Sequence, residues 1–299
     1  MAVRLGINPI VWSNDDLPEL GGETPLETCL AEARLAGFAG IEMGAKFPRS
    51  ANALRPILAR HQLDLVSGWY DGHLLDLGLE TEWRAAEPYL ALLRDMGCRH
   101  VIYADVSRRS SGNLFAPMSK RPKLPASEWP RYGQELTRLA ERMRAFGVAM
   151  AFHHHVGTIV ETDQEVDRLM AEAGSEVGLL LDSGHSALAG GDPVALAERH
   201  AARVVHVHCK DTRQPVLDAA RRDDGSFMQA VIDGVFTVPG DGSVDFPAML
   251  ALLRQAGYAG WLVVEAEQDP KKADPLTYAR MGFANLARMA LRAGFSVAP

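Results

Sequence analysis

Val148-Ala149-Met150-Ala151-Phe152-His153-His154-His155 is the stretch whose reading decides the fold. It reads as a strand over residues 148–153, and side chains alternate across a strand. If His153 points to one side, Ala149, Ala151 and His155 share that side, and Met150 and Phe152 take the other. Small residues on one face and large apolar ones on the other suit the wall of a small barrel, narrow inside and helix-packed outside. His154 then points outward, in a structural position. A helical pattern follows at residues 163–173, and the same strand-then-helix unit recurs on both sides.

Working outward, β-rich runs fall at residues 3–8, 40–43, 63–69, 100–104, 148–153, 177–182, 203–208 and 260–265. Helical periodicity follows them at 25–36, 51–61, 80–96, 127–146, 163–173, 193–201, 246–255 and 275–293. Thr24 reads as the N-cap of the first helix, with Pro25 at its first position. Gly37, Gly97, Gly147 and Gly257 each stand just past a helix end, where a left-handed residue commonly stops the helix. Strict βα alternation implies a parallel sheet. Eight units in 299 residues imply closure into a (β/α)8 TIM barrel, one domain over residues 1–299. Two loops exceed what a barrel needs, at 106–126 and 209–245. The first carries Arg108, Arg109, Lys120, Arg121 and Lys123 and no acidic residue, as a lid over a polar or anionic ligand would.

Composition limits the function. Apolar residues make up 47% and charged ones 23%, which supports a sizeable core. The net charge of −7, from 31 basic and 38 acidic side chains, disfavours a nucleic-acid partner. No apolar run approaches a membrane span, and residues 1–12 lack the layout of a secretory signal. Three scattered cysteines, Cys29, Cys98 and Cys209, build no disulfide framework. A cytoplasmic, reduced setting is expected, with a dimer or tetramer allowed.

Barrel enzymes place their sites at the C-terminal ends of the strands. Here the fifth to eighth strands end in His153, Asp182, His208 and Glu265. A single strand-end histidine is commonly a satisfied polar residue, but four such ends on neighbouring strands point to a site. Mixed imidazole and carboxylate ligands suit a divalent metal (Mn, Co, Zn or Fe(II)) without choosing among them. Glu267 shares a face with Glu265, and His206 and Lys210 share one with His208. Asn8, Glu42, Trp69 and Tyr103 end the first four strands. Pro239-Gly240-Asp241-Gly242 lacks the lysine of a phosphate loop and reads as a turn leading to Asp245, a helix N-cap.

The order of these strand-end residues resembles the xylose isomerase-like barrel superfamily. More narrowly, Gly6 to Asp16, His153 to Thr158, Leu181 to His185, His206 to Asp211, Phe236 to Gly242 and Glu265 to Pro270 are similar to inosose dehydratases. The resemblance implies a metal held by Asp182, His208 and Glu265, with manganese or cobalt the leading ions. The first ligand departs from the usual glutamate: His153 stands there, with His155 as competitor. Positions that bind sugar hydroxyls in related epimerases correspond to His185 and Arg213.

The implied reaction is dehydration of 2-keto-myo-inositol (scyllo-inosose) to a trihydroxycyclohexane-dione in inositol catabolism. That chemistry needs a base, an enolate stabiliser and an acid for the departing hydroxyl. His155 or His185 is expected as the acid/base, with Lys210 or Glu267 as a second candidate. Asn8, Glu42, Trp69 and Arg213 are expected at substrate hydroxyls, with Trp12 walling the site. An isomerase or epimerase of the same superfamily is the alternative. A nuclease is disfavoured by the charge, and a non-enzymatic polyol sensor is the remaining reading.

Overall fold

The computed structural model describes residues 1–299. Eight parallel strands follow one another in space as in sequence: β1 (Ala2–Ile7), β2 (Gly40–Met43), β3 (Asp64–Gly72), β4 (His100–Asp105), β5 (Ala149–His153), β6 (Val177–Asp182), β7 (Val204–Cys209) and β8 (Trp261–Val264). β8 pairs with β1, Leu262 facing Leu5 and Val264 facing Ile7, so the sheet closes into the expected barrel. A last strand, β9 (Ser296–Ala298), adds to β1 beside that seam.

The helices form the outer layer: α1 (Leu26–Ala36), α2 (Ala51–His61), α3 (Leu79–Asp95), α4 (Trp129–Phe146), α5 (Asp163–Glu172), α6 (Pro193–His200), α7 (Phe246–Gln255) and α8 (Pro275–Arg292). A core cluster of 64 buried residues packs strand faces against helix faces, with Val101, Met150 and Phe152 among them. Inside the barrel, Ile102, Ala151 and Leu180 make a small separate cluster. The alternation expected for the fifth strand is therefore realised, its large residues outward and its small one inward. At β7 it breaks. Leu179 faces Val204 but Leu180 faces His206, so Val205 is the extra residue of a bulge and packs against the inner cluster.

Several local expectations are corrected. Thr24 does not cap α1; Pro25 itself is the N-cap, in extended conformation and without a side-chain hydrogen bond. β3 runs three residues past Trp69. Tyr103 faces the helical layer and donates to Glu82 at 2.9 Å. The long segment after β7 is not open loop. It contains helices Gln214–Arg222 and Phe227–Ile232 and a two-residue antiparallel pair, Asp211–Thr212 with Phe236–Thr237. These pieces bury Phe227, Met228, Val231 and Phe236 in a second core on top of the barrel.

The loop after β4 is not a free basic lid either. Arg108 pairs with Asp76, Arg109 with Asp16 and Asp71, and the buried Arg121 with Glu161 and Glu165. Its tip is tied to the β7 excursion, where Ser119 N–H and O–H donate to the Asp224 carboxylate. Its start is tied to the segment after β5: Ser110 N–H donates to the Gly157 carbonyl at 2.9 Å. Gly157 has φ +84°, and a Cβ there would stand 2.7 Å from the Ser111 amide nitrogen. Gly157→Ala is therefore expected to lower stability by about 1–3 kcal/mol, through strain and the clash together. Urea denaturation of the two proteins measures it.

Candidate active site

His153, Asp182, His208 and Glu265 meet at the C-terminal mouth of the barrel. One ligand-type atom from each lies within 4.8 Å of the others, and all four residues are buried. His153 Nε2 is 3.4 Å from Asp182 Oδ2, and His208 Nδ1 is 3.4 Å from the same oxygen. His208 Nδ1 also faces Glu265 Oε2. Asp182 Oδ2, His208 Nδ1 and Glu265 Oε2 have no hydrogen-bond partner despite complete burial. Buried polar atoms are nearly always satisfied, so three unpartnered atoms converging on one point fit a cation as their common partner. Two imidazoles and two carboxylates can hold a divalent metal.

The tautomers agree with that use. His153 Nδ1 lies 2.6 Å from the His154 carbonyl, so it carries the proton and Nε2 presents a lone pair. His208 turns the other way. Its Nε2 lies 3.2 Å from a Glu42 oxygen, leaving Nδ1 for the cluster. Glu42 also accepts from His206 Nε2 at 2.8 Å, Ser67 Oγ at 2.7 Å and Asn8 Nδ2 at 2.8 Å. Burial pushes this carboxyl up, but the flanking His208 and His206 hold it well below the usual carboxylate range. A carboxylate behind a ligating histidine fixes its ring and raises its basicity.

Beside the cluster lies a second set. The His155 and His185 rings lie with centroids 3.8 Å apart, tilted by 40° to each other. His155 Nδ1 is 2.7 Å from the Val156 carbonyl, so Nε2 keeps its lone pair. Burial, with His153 and Lys210 nearby, holds His155 well below its ordinary value; burial, with His155 and Lys210, does the same to His185. Both rings are neutral near neutral pH. Lys210 has no exposed surface. Burial opposes its charge, yet Glu265, Glu267 and Asp182 hold it protonated. Its ammonium donates to Glu267 at 2.7 Å and lies 3.2 Å from His185 Nε2. Phe236 covers it, 4.6 Å from the ring centroid. Its stem runs over Gly184, where a Cβ would come within 2.4 Å of Lys210 Cγ. Burial raises the Glu267 carboxyl; Lys210 offsets this in part and Glu265 adds to it.

The family model described as xylose isomerase-like TIM barrel matches residues 30–288. The chain belongs to the xylose isomerase-like TIM barrel family. The rhizopine catabolism protein MocC of Rhizobium meliloti is 61% identical over 295 residues, 99% of this chain and 91% of that protein. An inosose dehydratase of Geobacillus thermodenitrificans is 41% identical over 279 residues, 93% of this chain and 94% of its own. Among solved structures, the IOLI protein with a binding zinc atom superposes with a TM-score of 0.67 at 17% identity, over 97% of this chain and 98% of its own, which is a likeness of fold. No helix of this xylose isomerase-like barrel is long and apolar enough to cross a membrane.

A cleft of about 570 Å³ opens above both sets, with Asn8, Trp69, His155, Glu265 and Glu267 on its walls. Trp69 packs edge-on to His153 and His155, with centroids 5.2 and 5.6 Å away. His185 lies in the buried layer behind His155. Three residues expected at the substrate are placed elsewhere. Glu42 is sealed beneath His208, its oxygens already taken by four donors. Trp12 is buried and donates to Glu32 on α1 at 2.6 Å. Arg213 spans Gly234, Phe236, Thr237 and Asp241 at 2.9 to 3.1 Å and clamps the β7 excursion. In their place the cleft is lined by Asp15, Asp16, Arg49, Tyr70, Asp71 and Arg109. Asp71 lies on the unforeseen extension of β3, and the charge of Arg109 had marked only its loop.

Glu42→Gln is expected to weaken divalent-metal binding by about 10- to 100-fold, because one of two histidines then meets an amide NH2. Competition with a chromophoric chelator measures it, and unchanged affinity would remove Glu42 from the support of His208.

Proposed function

We propose that the protein is a metal-dependent hydro-lyase that removes water from 2-keto-myo-inositol, giving a trihydroxycyclohexane-1,2-dione. The carrying observation is His155, its Nε2 free, lining one cleft with Glu267 and Glu265 of the four-residue cluster. The 41% identity to an inosose dehydratase supports this substrate. The 61% identity to a rhizopine catabolism protein supports a catabolic role related to rhizopine.

His153, Asp182, His208 and Glu265 would hold the metal. A divalent cation there supplies Lewis acidity to the ketone and hydroxyl oxygens. His155 takes the proton from the carbon α to the ketone. The electron pair left behind forms the α,β double bond as the β-hydroxyl departs. The hydrogen-bonded Lys210–Glu267 pair gives that hydroxyl a proton through Glu267, so it leaves as water. Lys210 holds the resulting carboxylate through its short hydrogen bond. The enol so formed tautomerises to the dione, and His155 returns its proton through solvent. Phe227 and Phe236 pack on His185 and close this end of the site. Trp69 and Asn8 meet the ring and its hydroxyls.

Incubation with scyllo-inosose and Mn2+ or Co2+ is expected to produce enone-type absorbance and, by NMR, the dione. An isomerised or epimerised polyol ketone with no water lost would favour the alternative chemistry instead. His155→Ala is expected to lower kcat by about 10² to 10⁴-fold. Asp182→Ala and Glu265→Ala are expected to retain no metal by elemental analysis and to show no turnover. Full wild-type activity after exhaustive chelation, with no metal detected, would sink the metal role.

A further inference from the structure

At the mouth of the cleft one guanidinium stands between two carboxylates. Arg109 Nη1 is 3.3 Å from Asp71 Oδ1, and Nη2 is 3.6 Å from Asp16 Oδ1. Trp69 Nε1 donates to that same Asp71 oxygen at 2.8 Å. All four side chains line the cleft. Charge-assisted hydrogen bonds typically close to about 2.7–2.9 Å, so both Arg109 contacts are loose. A guanidinium has five N–H donors, and only one of Arg109's makes a protein hydrogen bond, the one to Asp71. Arg213, whose Nη1 and Nη2 both donate within the β7 excursion, has nothing comparable to offer.

The backbone is shaped to deliver this side chain. Arg108 adopts φ +60°, a left-handed conformation that only three non-glycine residues of the chain take. Arg108 is tethered to Asp76 at 3.3 Å, and Arg109 N–H closes a turn on the Val106 carbonyl at 3.0 Å. Non-glycine residues hold such conformations only where their surroundings over-determine them, commonly at ligand clamps. The turn fixes Arg109 over Asp71, and Asp71 fixes Trp69, whose ring rests on His153 and His155. The mouth and the reacting end therefore have a set spacing.

An N–H donor beside a carboxylate acceptor is the complement of two adjacent hydroxyls, each of which can both donate and accept. We propose that Arg109, with Asp16 and Asp71, brackets a vicinal diol on the polyol ring, away from the carbons that react. Arg109 is then the specificity-determining residue of the cleft. The inference rests on the proposed polyol-ketone chemistry and narrows it: the ligand class is a ring with free neighbouring hydroxyls opposite the ketone.

The test uses metal-loaded protein and two probes. Calorimetric titration with unreactive myo-inositol gives Kd, and scyllo-inosose gives KM and kcat. Arg109→Met is expected to raise both Kd and KM about tenfold or more, the scale of lost hydrogen bonds to a charged group, with kcat changed less than about threefold. Arg109→Lys is expected to recover only part of the loss, since an ammonium cannot fork. Kd and KM within about twofold of wild type would overturn the bracket, as would a loss confined to kcat or no myo-inositol binding by the wild-type protein. If the wild type binds myo-inositol but does not turn over scyllo-inosose, the dehydratase reading fails and the Kd series still decides the bracket.

Discussion

Asp182, Glu265 and Lys210 end three adjacent strands, are almost wholly buried, and stand within 4 Å across the Lys210 ammonium (3.9 and 3.5 Å). Removing such charges from water costs several kcal/mol per ion unless partners and hydrogen bonds replace the solvent. Much of the upper barrel answers that demand. Gly184 has no side chain because the lysine stem occupies its place. Ser183 bridges the Lys210 backbone, its Oγ 2.8 Å from the carbonyl. Glu267 adds a third carboxylate to the ammonium, and Phe236 covers it. His153 and His208 each turn one nitrogen inward and anchor the other outward, so the remaining orphan atoms collect at one point.

The same demand reaches the chain that follows. Next to Lys210, the Asp211 carboxylate accepts the backbone N–H groups of Thr212, Gly240, Gly242 and Val244. The turn read from Pro239-Gly240-Asp241-Gly242 is thus wound around a buried acid from the end of β7. Arg213 closes it from the other side. A segment that would otherwise be mobile becomes a rigid apolar roof, and that roof keeps His155 and His185 neutral. The β4 loop is rigid for a parallel reason, each of its arginines meeting a carboxylate from another loop or helix.

The strand count, the barrel and the four converging side chains were legible because they rest on short-range periodicity and on order along the chain. Residue roles that depend on distant partners were not. Glu42 and His206 are 164 residues apart, and only their pairing shows that Glu42 supports a histidine from below. Arg213 looks free in sequence, yet it is held by the Gly234 and Phe236 carbonyls and by Thr237 and Asp241, partners that no pattern reveals. Trp12 sits in one of the stretches that carry the resemblance but spends its N–H on Glu32. The helix Ser183–Leu188, capped by Asp182 itself, was missed because it is short and begins inside the site motif. Asp71 escaped notice and Arg109 was marked only as a charge of its loop, because their meaning comes from facing each other across the mouth.

The closing seam of the barrel joins β1 to β8 and β9, residues 2–7 to residues 261–264 and 296–298. A contact of that sequence separation is among the slowest a chain can make, since loop closure must precede any reward. During synthesis the first strand therefore emerges with one unpaired edge and keeps it until nearly the whole chain exists. An unpaired, mostly apolar edge is a template for wrong strand pairing. The seam thus makes yield and solubility depend on the final strand, far in sequence from the chemistry it encloses.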